Sequence, residues 1–171
     1  MSHAPFRVVP LDSTHDRNAF DSGSAPLNRY LREQVTQDVR RRVTACFVAL
    51  NAAHQIAGYY TLASASVLLS DLPAAIAKRL PRYPTVPAVR MGRLAIDQNF
   101  QGQGLGGALL ADALQRAAQA EIAAYALLVD AKDTHAAAFY QHHGLLALPD
   151  TPLTLFLPLA TVQMLYSNKK T

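Results

Sequence analysis

Four glycines fall within six residues in the stretch NFQGQGLGGALL, Asn99 to Leu110, and the chain on both sides of them reads as regular structure. AVRMGRLAID (88–97), before them, has the apolar content of a mostly buried strand. After them Leu109, Leu110, Ala113, Leu114 and Ala117 form an apolar stripe, and Asp112, Gln115, Arg116 and Gln119 a polar face. A helix therefore starts among the glycines. AYALLVDA (124–131) then reads as another strand. The order strand, glycine loop, helix, strand sets a mixed α/β class and suggests what the loop is for.

Glycine lets a backbone come close to a ligand. The first N–H groups of a helix have no internal acceptor and carry a partial positive charge. A phosphate can sit there without any basic side chain. The P-loop is excluded, because no Gly-Lys-Ser/Thr follows. Gly102, Gly104 and Gly107 do fit G-x-G-x-x-G, the dinucleotide fingerprint, and Asp130 lies 28 residues after Gly102, near the place of a ribose-binding acid. Two features oppose that reading. DQNFQ separates the strand from the first glycine, and the chain after Ala131 has room for one helix and a strand or two.

The rest of the chain reads as one domain spanning 1–171, with no repeat and no linker. FRVVPL (6–11) is a short strand. Ser24 caps a helix with Pro26 in its first turn, and Leu27, Tyr30, Leu31, Val35 and Val39 carry it to about Val39. VTACFVAL (43–50) and QIAGYYTLASASV (55–67) pair as strands across NAAH. Ser70 or Asp71 caps a second helix, with Pro73 in its first turn, and PRYPTVP ends it. Asp133 starts a helix closed near Gly144, and LTLFLPL (153–159) is a last strand running into a short helix.

No apolar run approaches the roughly 20 residues of a membrane span. MSHAPFRVVP lacks the apolar core of a signal peptide, so the expected location is cytoplasmic. Cys46, the single cysteine, lies in the apolar run ACFVAL and reads as an inert core thiol. The six histidines suggest no metal site: His142 and His143 suit the end of a helix, and His135 is two turns earlier. Residues 1–100 carry twelve Lys/Arg against seven Asp/Glu, and residues 101–171 four against five. The cations gather as Arg40, Arg41 and Arg42, as Lys78, Arg79 and Arg82, and as Arg90 and Arg93 on opposite faces of one strand. Each cluster alone reads as a solvated face, and together they suit a polyanionic partner.

Gln101-x-x-Gly104-x-Gly106 resembles the Q/R-x-x-G-x-G/A pyrophosphate loop of the GNAT acetyltransferase superfamily. GRLAID resembles the strand before that loop, and VDAKDTHAAAFYQHHGL the next strand and helix with the A-x-x-F-Y-x-x-x-G segment. The resemblance implies the GNAT fold: a central, mostly antiparallel sheet with two splayed parallel strands, flanked by helices, and acetyl-CoA between the splayed strands. It implies cofactor contacts from Leu94, Ala95 and Ile96 and from Gln101, Gly102, Gln103, Gly104, Leu105, Gly106 and Gly107. Asp133 stands where many members have an asparagine that touches the CoA arm, and it also reads as an N-cap. More narrowly, FDSGSAPLNRYLREQVTQDVRRRVTACFV, IAGYYTLASASV and KRLPRYPTVPAVRMGRLAID are similar to TacT-type acetyltransferase toxins. That similarity implies acetylation of the α-amino group of aminoacyl-tRNA, a ribbon-helix-helix antitoxin and a homodimer. It makes the three basic clusters tRNA contacts.

Acetyl transfer needs a neutral amine, a held thioester and a proton for the leaving thiolate. An α-amine of pKa about 8 is partly neutral near pH 7. Backbone N–H groups around Leu94–Ile96 are candidates to polarise the thioester carbonyl. Tyr140 is the candidate general acid. The competing view of Tyr140 is a packing residue with a bonded hydroxyl, since Ala136, Phe139, Tyr140 and His143 share one helical face. Two other functions stay open at this point: acetylation of a small amine or protein N-terminus, and a non-catalytic fold that binds CoA or a protein. The scarcity of acids near the loop argues against polyamine substrates.

Overall fold

A computed structural model describes residues 6–169. Helix α1 (Ala25–Arg29) starts as the sequence predicts: the Ser24 hydroxyl accepts the Leu27 N–H at 3.5 Å, and Pro26 sits in the first turn. The helix does not continue unbroken to Val39. Tyr30–Gln34 is a π-helical turn in which the Val35 N–H reaches back five residues to the Tyr30 carbonyl, and α2 (Val35–Arg40) follows. Tyr30, Leu31 and Val35 stay buried through the turn, so the apolar stripe gives no hint of the extra residue.

Helix α2 ends in a left-handed residue. The Arg42 N–H donates to the Val39 carbonyl at 3.0 Å and the Val43 N–H to the Asp38 carbonyl at 2.9 Å, with Arg42 at φ 61°. This closure usually uses glycine, because a Cβ is disfavoured there.

The remaining elements are β1 (Arg7–Pro10), β2 (Ala45–Leu50), β3 (Ile56–Leu68), α3 (Ala74–Ala77), β4 (Thr85–Ile96), α4 (Leu105–Gln119), β5 (Ala126–Asp130), α5 (Thr134–His142), β6 (Leu146–Ala147), β7 (Thr154–Pro158) and α6 (Leu159–Lys169). The strand order is β1-β2-β3-β4-β5-β7-β6 in a mixed sheet. Two compact units divide the chain. One takes in the described chain up to Ala63 together with Gly92–Ala113, and the other takes in Ser64–Met91 and the described chain from Leu114 on.

In the first unit β1–β2 and β2–β3 are antiparallel, with Val9 opposite Val48 and Phe47 opposite Tyr60. Phe20, Tyr30, Leu31, Val35, Val48, Leu50 and Tyr59 form its core around Cys46. Burial pushes the Cys46 thiol up to about 12, so it stays protonated and unreactive at neutral pH. In the second unit β4 and β5 are parallel from Ala88–Ala126 to Met91–Val129, and β7 runs antiparallel between β5 and β6. Val67, Leu72, Val86, Ala88, Ala126, Leu128, Leu148 and Phe156 pack together there.

β5 is flanked by the antiparallel β7 and not by further parallel strands, in agreement with the two features that oppose the dinucleotide reading. Two expectations are corrected. Neither Ser70 nor Asp71 caps a helix: Leu69–Asp71 is a 3₁₀ turn, α3 is a single turn, and Pro73 itself holds the cap position with no side-chain cap. β4 starts at Thr85, inside the proline-rich stretch, where the Pro87 carbonyl accepts the Tyr125 N–H at 2.8 Å. Among the described residues no helix is long and apolar enough to cross a membrane.

Candidate active site

The five residues that separate β4 from the first glycine form a buttress. Asp97, buried at the end of β4, donates its N–H to the Ala57 carbonyl at 2.8 Å. Its carboxylate accepts the Asn99 N–H at 2.9 Å and the Asp21 N–H at 3.0 Å. A 3₁₀ turn, Gln98–Phe100, follows, and the Gln98 N–H returns to the Asp21 carbonyl at 2.8 Å. The Gln101 amide then donates to the Ile96 carbonyl at 3.0 Å and the Ser22 carbonyl at 3.2 Å. Gln101 thus works as a strut fixing the loop, a role its motif position does not reveal. Removing the Asp97 carboxylate strands two N–H donors. Asp97→Ala is expected to lose about 2–6 kcal/mol of stability, at 1–3 kcal/mol per orphaned group, measurable by urea denaturation.

Past this buttress the backbone turns left-handed at Gly102 (φ 77°) and Gly104 (φ 80°), and α4 begins at Leu105. The Ala108 N–H bonds the Gly104 carbonyl at 3.1 Å, so the N–H groups of Leu105, Gly106 and Gly107 precede the first bond of the helix. A Cβ built at Gly102 or Gly104 would meet nothing within 4 Å. The loop is exposed, and the space over it is open. This geometry fits a pyrophosphate: helix N–H donors at the start of a fifteen-residue helix, with no side chains crowding them.

Gly58 on β3, not singled out in the sequence, sets the close approach beneath the loop. A Cβ there would lie 3.0 Å from the Ala95 carbonyl oxygen, Ile96 Cδ1 and Leu109 Cδ1 alike. The absence of that carbon lets β3, the end of β4 and α4 meet. Leu94, Ala95 and Ile96 lie beyond the parallel β4–β5 ladder, which ends at Met91–Val129. The sequence signal for both Asp97 and Gly58 was only their position, one at a strand end and one inside an apolar strand.

In the second unit Tyr140 lies on α5. Asp133 caps that helix, its carboxylate accepting the Ala136 N–H at 2.8 Å. The N-cap role foreseen for it is therefore filled. Gly144, at φ 96°, closes the helix, and the Leu145 N–H bonds the Tyr140 carbonyl at 3.1 Å. The Tyr140 ring is half-buried and meets Phe139 edge-on at 5.2 Å. Among the described residues its hydroxyl has no hydrogen-bond partner. The bonded hydroxyl that a packing role calls for is therefore missing. Burial raises the phenol above its ordinary value, which keeps it protonated and able to donate.

The basic residues divide by surroundings. Arg40, Arg41 and Arg42 are exposed at the end of α2, and Lys78, Arg79 and Arg82 are exposed after α3. Arg90 differs: it forms an ion pair with Asp130, which also accepts the Thr154 hydroxyl at 2.9 Å. That pair engages the acid that the dinucleotide reading needed. Arg93 stacks on Tyr30, its guanidinium carbon 3.4 Å from the ring centroid.

Comparison with known proteins agrees with this geometry. Residues 16–145 match the model of the acetyltransferase (GNAT) family. A tRNA-acetylating toxin of Mycobacterium tuberculosis (strain ATCC 25618 / H37Rv) is 37% identical over 156 residues, 90% of each chain. Among solved structures, AtaT complexed with acetyl-methionyl-tRNAfMet superposes with a TM-score of 0.87 at 29% identity, covering 94% of this chain and 99% of that one. A mutant of the toxin AtaT, bound to the C-terminus of the antitoxin AtaR and acetyl-CoA, gives 0.78 at 28% identity over 95% and 98% of the two chains. With the family model covering most of its length, the chain belongs to the acetyltransferase (GNAT) family.

Proposed function

We propose that this protein is an acetyl-CoA-dependent N-acetyltransferase that modifies the α-amino group of aminoacyl-tRNA and thereby blocks translation. The 37% identity to a tRNA-acetylating toxin, over 90% of both chains, carries this reading. Acetyl-CoA supplies the acetyl group as an activated thioester. The N–H groups of Leu105, Gly106 and Gly107, with the open backbone from Gly102 to Gly104, bind its pyrophosphate. Gln101 holds that loop in place from below. Backbone N–H groups of Leu94, Ala95 and Ile96 orient and polarise the carbonyl. As the C–N bond forms and the C–S bond breaks, the Tyr140 hydroxyl gives its proton to the departing thiolate, and the proton shed by the attacking nitrogen restores the tyrosine by way of solvent. No strong base is invoked, because an α-amine with pKa about 8 is already partly neutral.

Arg40, Arg41 and Arg42, with Lys78, Arg79 and Arg82, are the phosphate-backbone contacts in this reading, and binding weakens steeply with salt. Arg42 is the most informative of them, since its left-handed backbone favours glycine. Arg42→Gly is expected to raise stability by about 1 kcal/mol while weakening tRNA binding. A melting curve and a filter-binding titration check the two opposed effects. We further propose a homodimer acting in the cytoplasm and held inactive by a ribbon-helix-helix antitoxin. The AtaT–AtaR complex among the structural relatives supports the antitoxin.

The test incubates the protein with acetyl-CoA and total charged tRNA and identifies N-acetylated aminoacyl ends. Their appearance is the expected result. Their absence, with transfer instead to a small amine or a protein N-terminus, overturns the choice of substrate while leaving the chemistry.

A further inference from the structure

Asn28 is a buried polar residue on α1, and both ends of its side-chain amide are engaged. Its carbonyl oxygen accepts the Ser22 N–H and the Ser22 hydroxyl, each at 2.8 Å. Its nitrogen donates to the Asp21 carboxylate at 2.9 Å, to the same oxygen that accepts the Gly23 N–H at 2.9 Å. The Gly23 N–H and the Asn28 amide hold the Asp21 carboxyl below the usual carboxylate range, so it stays an acceptor. Gly23, at φ 90°, packs closely against the residues after β4: a Cβ there would lie 2.7 Å from Gln98 Nε2. The backbone of the same turn faces the glycine loop. Asp21 gives its N–H to Asp97 and accepts the Gln98 N–H, and the Ser22 carbonyl accepts the Gln101 amide. Of the two carbonyls that hold Gln101, one belongs to β4 and the other to a turn that Asn28 fixes.

We infer that Asn28 is a positioning residue for acetyl-CoA: it fixes the Ser22 carbonyl, which holds Gln101, which sets the backbone that meets the pyrophosphate. The inference rests on the reading of the glycine loop as the pyrophosphate site. Two features carry it. First, the loop has little means of holding its own shape. Gly102 and Gly104 are left-handed, exposed and open on their Cβ side, and glycine loses more freedom on ordering than any other residue. Its conformation has to be imposed from the side chain that precedes it, Gln101. Second, a strut is only as fixed as its anchor. Gln101 is itself exposed, and ordering a glutamine side chain costs up to about 2 kcal/mol. A Ser22 carbonyl held at one position lowers the number of poses open to Gln101. The amide of Asn28 is spent on Asp21 and Ser22, so its burial serves this turn.

The test measures affinity for acetyl-CoA and for S-acetylpantetheine, which keeps the thioester and its arm and lacks the pyrophosphate. The wild type is expected to prefer acetyl-CoA. Asn28→Leu is expected to lose about tenfold or more of that preference, the scale of a misplaced binding group, with S-acetylpantetheine bound as before. Ser22→Ala removes one of the three bonds to Asn28 and decides the matter if Asn28→Leu does not fold; a loss of about threefold is expected. Val48→Ala opens a cavity in the core of the same unit and is expected to keep the full preference. Gln101→Met removes the strut, and on that background Asn28→Leu is expected to change the preference no further. A full preference in Asn28→Leu (or in Ser22→Ala where the first does not fold), an equal loss in Val48→Ala, or additive losses with Gln101→Met overturns the inference. A wild type that binds both ligands alike overturns the pyrophosphate reading, and this inference with it.

Discussion

Tyr140→Phe is expected to fold, to bind acetyl-CoA as the wild type does, and to lose about 10²- to 10⁴-fold in kcat, the usual contribution of a general acid. The structure sharpens this expectation because the Tyr140 hydroxyl has no partner among the described residues. Removing it breaks no hydrogen bond, and the half-buried ring keeps its edge contact with Phe139. Stability should therefore stay within about 0.5 kcal/mol of wild type, and a melting curve checks it. The pH profile gives a second readout. Burial holds the phenol above its ordinary value, so it remains protonated through neutral pH and beyond. Wild-type activity should rise as the substrate amine loses its proton near pH 8 and show no fall from tyrosine ionisation below about pH 10. Full turnover in Tyr140→Phe would return Tyr140 to a packing role.

The parts of the site that were legible in the sequence are those encoded locally. The glycines, the amphipathic stripe of α4 and the caps at Ser24, Asp133 and Gly144 each declare themselves within a few residues. Contacts between distant segments do not. Asp97 is bonded to a backbone group 76 residues away, and the Gln101 strut reaches back 79 residues to Ser22. Nothing near either residue signals these contacts, so DQNFQ read as spacing between strand and loop and Gln101 as a motif letter. The π turn was invisible for another reason. Tyr30, Leu31 and Val35 fall on one face whether the helix closes over four residues or five, and burial alone cannot separate the two. Charge was the least legible property. Arg90 and Arg93 read as cations on opposite faces of one strand, and nothing in their neighbours tells that one is ion-paired with Asp130 and the other stacked on Tyr30. Asp130, a candidate ribose acid by its spacing, is consumed in the same pair. Ser70 and Asp71 had the right chemistry for a cap, but Pro73 occupies the cap position of a single-turn helix.

The second large effect is expected at the loop itself. Gly104 sits at φ 80°, and its carbonyl accepts the first intrahelical bond of α4. Valine there faces a choice between two costs. Keeping the left-handed backbone costs about 1–2 kcal/mol, and more for a β-branched residue. Relaxing to negative φ turns the Gly104 peptide and moves the N–H groups that open the helix. With the backbone kept, the isopropyl group projects into the open space where a Cβ meets nothing within 4 Å, beside the N–H groups proposed to bind the pyrophosphate. Gly104→Val should therefore weaken acetyl-CoA binding by about 1.4 kcal/mol or more, tenfold in Kd, with the larger change in KM for acetyl-CoA and not in kcat at saturation. Gly144→Val is the control, because Gly144 is also left-handed, at φ 96°, with open space around its Cβ. It carries the same backbone penalty at the end of a different helix and should leave acetyl-CoA affinity alone. Calorimetric titration of both variants separates strain from site. Equal losses of affinity would make the effect a general one of stability, and an unchanged Kd in Gly104→Val would remove the phosphate from this loop. A loss confined to Gly104→Val would mean that the glycine is kept for what has to lie above it, since nothing in the protein itself crowds that position.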